Sequence, residues 1–572
     1  MTTTIKLFIF QFEVPNLIEL KYDGYLKMQK NLTQDEKLNL QDALGVLSRS
    51  SKYSVSTLRT ENTVDELQAL KDHLYITPEI QNDFKVALQA ALDNPDPKRI
   101  ICLCGSSGDG KSEILTQLYR EFSSEIDFHL DATHSSSQHK SAIDCLDEKF
   151  DEFKLNNKPL AIGINIGMLQ KFIKQGSDRH SDIKGPFEEY FKNRHIKGFD
   201  TQSVSFYDFE CYPRLNFSSS KITSDFISKF LAKLTEETPE NPFYRYYQLE
   251  NKSSSYVAKN FEVLSLLSFQ NKLIELFGLA RLMEEQFLIP RIFVDFIYQI
   301  LTIEKPDGII GNIFSKFDNE FSRCFAKVDP IHIRSKALDN FYLEYTTHTL
   351  SAEVQKDIDI LLSLVNFSLS PEGIVRASYL LEEESLNSSL SEISKKSFLA
   401  CSLNNYLNLV NIFQKTKLTD EDEDICLNII EELIVNSSLD YANRLLPSKA
   451  DGFIVSRKLD DYSICNKVNV QADVEWIEKH KLTTTDFIPI PLIINNGDSP
   501  YIFNIDLNTM IQAIYISNGF RPNRQNLEGV AKFDELISHI IDKTIKTESM
   551  KIISDNKVIS VSKNRRRYTV ER

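Results

Sequence analysis

Apolar residues along this chain change their spacing several times, and each change predicts an element. In residues 66–92, ELQALKDHLYITPEIQNDFKVALQAAL, they fall three and four apart, the spacing of a helix. Residues 100–104, IICLC, form a continuous run with β-branched members, suited to a strand buried on both faces. SEILTQLYREF, from Ser112, returns to helical spacing. IDFHLDAT then predicts a second strand ending at Asp131, and AIDCLDEKFDEF a helix. PLAIGINIGML predicts a third strand ending near Asn165, and SVSFYDFE a fourth containing Asp208. Alternating strands and helices predict a parallel sheet covered on both faces.

Farther on the texture is helical. Residues 263–301 carry apolar positions at three- and four-residue spacing, as in a bundle or lid, and a further helical block runs to Leu446 through SPEGIVRASYLL with Arg376. From about residue 447, GFIVSRKL, VNVQADVEWI, PIPLIINNG and YIFNIDL alternate or carry β-branched residues between Asn-Gly and Asp-Gly turn signals. NTMIQAIYISNGFRPN reads as a helix closing on Gly519. The expected organisation is an N-terminal extension (1–60), a sheet core (61–235), a helical lid (236–345), a helical domain (346–446) and a small α+β domain (447–572). That last domain ends in a basic tail with Arg565, Arg566 and Arg567 beside Tyr568.

Composition narrows the class. A chain of 572 residues exceeds a single core. Its eight cysteines show no CxxC pair or ligand cluster, which predicts reduced thiols acting as small hydrophobes, with Cys102 and Cys104 on opposite faces of their strand. IKLFIFQFEV, near the start, is too short and lacks the basic flank of a secretory signal. The longest apolar stretch, FLIPRIFVDFIYQIL, is broken by Pro290, Arg291 and Asp295 and reads as a buried helix. A cytoplasmic protein with no membrane contact is expected. The net charge of −15 argues against a broad nucleic-acid clamp, and the acidic TDEDEDIC from Thr419 reads as a solvated loop or the charged start of a helix.

The chemistry concentrates between the first strand and its helix. Residues 105–112, GSSGDGKS, fit G-x-x-x-x-G-K-[ST] at every fixed position, in the strand–loop–helix context that motif requires. Gly105, Gly108 and Gly110 let backbone N–H groups approach a pyrophosphate, and the following helix aims its N-terminus at the anion. Lys111 reaches β/γ-phosphates, and the Ser112 hydroxyl can ligate Mg²⁺. The candidate segment for ATP and Mg²⁺ thus comprises Gly105, Ser106, Ser107, Gly108, Asp109, Gly110, Lys111, Ser112 and Glu113.

The surroundings suggest an α/β P-loop NTPase core of the additional-strand, AAA+-like type. There the third strand usually ends in Asp-Glu; here it ends in Asn165, which can hold a water or phosphate oxygen but is a poor base. Asp131 and Asp208 remain as candidate metal-facing carboxylates, or else as strand-end caps. Arg291, just after Pro290, resembles the lid arginine of AAA+ proteins that reaches the γ-phosphate; the alternative is a surface or ion-pair arginine.

GSSGDGKSEIL, LDATHSS with KSAIDCLDEKF, and LAIGINIGMLQKFI occur in an order that resembles the DptF family, the ATPase subunits of DNA phosphorothioation-dependent restriction systems. IVRASYLL and ISNGFRPN extend the resemblance over most of residues 60–530. It implies a defence role. Hosts of such systems replace a nonbridging phosphate oxygen with sulfur, and the complex attacks DNA lacking the mark. The ATPase subunit works with a second subunit and a helicase-like third subunit, meets DNA through the assembled complex, and allows a homo-oligomer. No nuclease cluster stands out, so ATP-driven remodelling is the expected task. A nucleotide-regulated scaffold with slow turnover is the alternative, and a P-loop kinase a more distant one.

Overall fold

The computed structural model describes residues 38–51, 66–94, 98–130 and 141–571, apart from positions 219, 253, 334, 383–384, 396, 448–449, 460, 483, 523–526, 545–547, 555–556 and 565–566. Helices α1 (Glu66–Leu74) and α2 (Glu79–Asp93) lead into β1 (Ile100–Gly105). Ile80, Phe84 and Leu88 recur four apart on α2 and are fully buried in one cluster with Ile101 and Leu103 of β1. Each such side chain contributes about 1.5–3 kcal/mol.

The chain continues through α3 (Lys111–Phe122), β2 (Asp127–His129), α4 (Ala142–Leu155), β3 (Leu160–Asn165), α5 (Ile166–Gln175) and α6 (Ser181–Lys192). It then adds β4 (Phe199–Asp200) and β5 (Val204–Asp208). The five strands lie in the order β2-β3-β1-β5-β4, with β1, β2, β3 and β5 parallel and β4 antiparallel to β5. Helices cover both faces: α2 and α3 on the side of Ile101 and Leu103, and α4, α5 and α6 on the side of Ile100, Cys102 and Cys104. The expectation for the two cysteines is therefore corrected. Residues two apart on a strand share a face, and both thiols are buried in one cluster.

A helical region follows. A short helix from the N-terminal stretch, Leu40–Leu44, packs into the same core. Within it, α7 (Leu267–Glu284) and α8 (Pro290–Leu301) bury Phe277, Phe293 and Phe296 against one another. Pro290 sits in the first turn of α8, where its missing N–H costs no helical bond. Among the described residues no single helix is long and apolar enough to cross a membrane. The acidic run from Thr419 is the start of a helix, with Thr419 in a capping box and four acidic residues in the first turn.

The C-terminal region holds two antiparallel sheets. One has the order β10-β9-β8, from β8 (Val470–Ala472), β9 (Ile488–Ile494) and β10 (Tyr501–Ile505). The other is β13-β12-β11-β7-β6, from β6 (Phe453–Lys458), β7 (Ser463–Lys467), β11 (Ser549–Ser554), β12 (Lys557–Asn564) and β13 (Arg567–Glu571). Asn495 and Asn496 adopt positive φ in the β9–β10 turn, and helix Leu507–Ser517 closes at Gly519 with φ 90°. The stretch read as a basic tail ends in a strand: Arg567 pairs with Asn564, and β13 is exposed along its length. Arg565 and Arg566 lie outside the described residues.

Candidate functional site

The register of the parallel sheet brings three candidate residues to its C-terminal edge. Gly105 at the end of β1 stands opposite Asn165 of β3, and Cys104 stands opposite Asp208 of β5. Between β1 and α3 the chain turns through the glycine loop. Gly108 and Gly110 have φ of 89° and 99°, the left-handed region that a side chain resists. Gly105 is required by close approach, since a Cβ there would lie 2.8 Å from both Asp109 Oδ2 and Phe209 Cδ2.

The loop leaves donors unspent. The backbone N–H groups of Ser107, Gly108 and Gly110 donate to no protein atom among the described residues, and α3 has no side-chain N-cap. By contrast, Ser141 caps α4 and Asn165 caps α5. An uncapped helix start beside free amides offers the partial positive charge and donors that an anion needs. Lys111 Nζ donates to the carbonyl oxygens of Gly105 and Ser106 at 3.1 and 2.7 Å, folding its charge over the same loop. The Ser112 hydroxyl, partly exposed, has no protein partner among the described residues.

Other residues of the segment brace it. Asp109 is buried; its carboxylate accepts from Ser106 N–H at 2.5 Å and lies 3.5 Å from Arg214. Burial pushes the Asp109 carboxyl above its usual range, while Arg214 pulls it down. Glu113 is taken by an ion pair with Lys71 of α1 at 2.9 Å and by the Gln117 amide. Asp109 and Glu113 thus hold the loop and helix in place from the protein side.

Asn165 accepts Met168 N–H at 2.6 Å through its side-chain oxygen, leaving its amide N–H₂ without a partner among the described residues. Asp208 is spent differently. It is 2% exposed, accepts from Arg194 Nε at 2.9 Å and from the Tyr190 hydroxyl, and lies on the sheet face away from α3. Its other oxygen accepts from the Glu210 N–H at 3.1 Å. Asp131 lies outside the described residues. The chain leading to it passes over β3: a Cβ on Gly163 would lie 2.7 Å from the carbonyl oxygen of Leu130.

Arg291 comes to the loop from the helical region. A Cβ on Gly108 would lie 3.6 Å from Arg291 Cβ and 3.0 Å from Ile289 Cγ2, so the first turn of α8 borders the glycine loop. Arg291 is exposed, and no described residue pairs with it. Sequence reasoning missed Arg214. Its guanidinium donates to Asp109 O at 2.9 Å and to Leu288 O at 3.2 Å, joining the loop to the segment that enters α8. Nothing in CYPRLNF signals that role, because both partners are distant in sequence. Among the described residues no cluster of three or more His, Cys, Asp or Glu side chains is placed to hold a metal ion. Comparisons with protein-family models, with the curated proteins and with the solved structures each found no match for this chain.

Proposed function

We propose that residues 105–112 bind the phosphates of ATP and that the chain hydrolyses it as the ATPase subunit of a phosphorothioation-dependent DNA restriction complex. The observation that carries the first part is the glycine loop itself: a left-handed turn between a parallel strand and an uncapped helix, with unspent N–H groups, a lysine folded over it and Arg291 alongside. These groups fit a triphosphate. Mg²⁺ would neutralise charge at its oxygens, and the ligand this chain offers is the Ser112 hydroxyl. Lys111 and Arg291 then place positive charge where phosphate charge develops.

The sheet order favours Asp131 over Asp208 as the metal-facing carboxylate. β3 stands between β1 and β2, the added strand of the expected AAA+-like core, so the strand leading to Asp131 is the outer one and Asn165 ends the strand between. In that position an amide orients a water or a phosphate oxygen, and the missing carboxylate at the end of β3 ceases to be a gap. Asp208 is instead held by the Tyr190 hydroxyl, Arg194 and the Glu210 N–H.

The restriction role rests on the ordered resemblance to DptF, with DNA met through the second and helicase-like third subunits and ATP-driven remodelling as this chain's share. The Arg214 bridge favours a second reading, a nucleotide-regulated scaffold, because it couples the loop to the helical region and so transmits occupancy without fast turnover. Steady-state ATP hydrolysis, measured alone and with DNA and partner subunits, separates the two. Strong stimulation supports the motor, and near-zero turnover under all conditions supports the scaffold.

A further inference from the structure

A cleft of about 440 Å³ opens beside the glycine loop. Ser106, Asp109 and Arg214 form its wall on the loop side. The opposite walls come from residues 287–289, ahead of α8, and from residues 484–486 with Gln414, all distant from the loop in sequence. Its volume falls within the roughly 300–1,000 Å³ of small-molecule sites.

Two features of the lining point to an organic ligand with an aromatic ring and polar edges. Phe287 is 55% exposed, although Arg281 lies over it at 4.1 Å from the ring centroid; a large aromatic surface is left unburied at the wall of a cleft. The side chains of Thr485 and Gln414 carry donors and acceptors that no described residue satisfies. The polar groups nearest the loop, on Arg214 and Asp109, are already committed to each other and to the backbone.

We propose that this cleft receives the base and ribose of the nucleotide whose phosphates lie on the glycine loop, an inference that rests on reading that loop as a phosphate site. The base stacks on Phe287, and Thr485 and Gln414 bond its polar edge or the ribose hydroxyls. Thr485 is pinned by its neighbours: Tyr406 donates to its carbonyl oxygen at 3.0 Å, and Asp486 pairs with Arg281 of α7 at 2.6 Å. A nucleoside held there contacts the sheet core, the helical region and the segment ahead of β9 at once. Nucleotide binding therefore also fastens the C-terminal region to the core.

The test compares ATP with inorganic tripolyphosphate by titration calorimetry, using the full chain and its Phe287→Ala and Thr485→Tyr variants. Tripolyphosphate occupies only the loop, so its affinity also reports that a variant is folded. The expected result is ATP binding weakened about tenfold in Phe287→Ala, the size of a lost stacking contact, and at least as much in Thr485→Tyr, which fills the cleft, with tripolyphosphate unchanged in both. Unchanged ATP affinity in both variants, or equal loss of ATP and tripolyphosphate, overturns the assignment of the cleft. Failure of tripolyphosphate to bind the unsubstituted chain overturns the reading of the loop instead, and is distinguishable because it precedes any substitution.

Discussion

Arg214 donates to the carbonyl oxygen of Asp109 at 2.9 Å and stands 3.5 Å from its carboxylate, so one half-buried arginine holds both the backbone and the side chain of the same loop residue. The same guanidinium reaches Leu288 O, which makes the glycine loop and the approach to α8 parts of one hydrogen-bonded unit. Replacing Arg214 with Ala leaves the buried Asp109 carboxylate without its ion-pair partner. The expected cost is roughly 3 kcal/mol in denaturant unfolding, with Arg214→Lys recovering part of it. An unaltered midpoint in Arg214→Ala contradicts this account of the loop.

The two left-handed glycines make separate demands. Gly110 has open space where a Cβ would go, so Gly110→Ala carries only the backbone strain, about 1–2 kcal/mol. Gly108→Ala adds a 3.0 Å approach to the Ile289 side chain at the start of α8, which must give way by a few tenths of an ångström. Thermal unfolding should therefore rank Gly108→Ala as the more destabilised. The reverse order would mean that α8 does not border the loop as described.

Arg291 is exposed and unpaired among the described residues, so Arg291→Ala should change stability by no more than about 0.5 kcal/mol. ATP turnover should nonetheless fall at least about tenfold if its charge meets the γ-phosphate. Full turnover in the variant would return Arg291 to the role of a surface arginine.

Much of this arrangement was legible in the sequence because it is local. The run IICLC, the glycines after it and the 3.6-residue spacing from Ser112 specify β1, the loop and α3 through neighbouring residues alone. The helix Leu507–Ser517 and its Gly519 stop were legible for the same reason. The braces were not. Lys71 and Glu113 are 42 residues apart, and Arg214 and Asp109 are 105 apart. Such pairs exist only once the topology has brought α1 and the segment after β5 against the loop. Asp208 shows the converse. Its place at a strand end was foreseen, but not that Tyr190 and Arg194 of a separate stretch would enclose it.

His180 is fully buried against Phe150 and Phe172, with Asp147 and Asp151 within 3.6 Å of its ring nitrogen. Burial, then Lys154, hold its imidazole below the usual histidine range against the pull of Asp151 and Asp147. A folded-state value below the unfolded one means the unfolded chain binds the proton more readily. The corresponding stability is present above about pH 6.5 and is lost as pH falls below it, through the lower folded-state value. The melting temperature should drop between neutral pH and about pH 5.5, and His180→Gln should flatten that drop. Identical pH dependence in the variant would remove His180 as its source. His73 and His539, also lowered by burial, add slope of the same sign.

The central claim, that the loop at 105–112 is a triphosphate site, is tested most directly by ATP hydrolysis and binding in Lys111→Ala. Lys111 donates to the loop carbonyls of Gly105 and Ser106, at 3.1 and 2.7 Å, which puts its charge over the loop where a phosphate would sit. The account predicts a variant that unfolds at nearly the same temperature as the parent chain and has lost ATP turnover. A folded Lys111→Ala protein that still binds and hydrolyses ATP at the parent rate would contradict it.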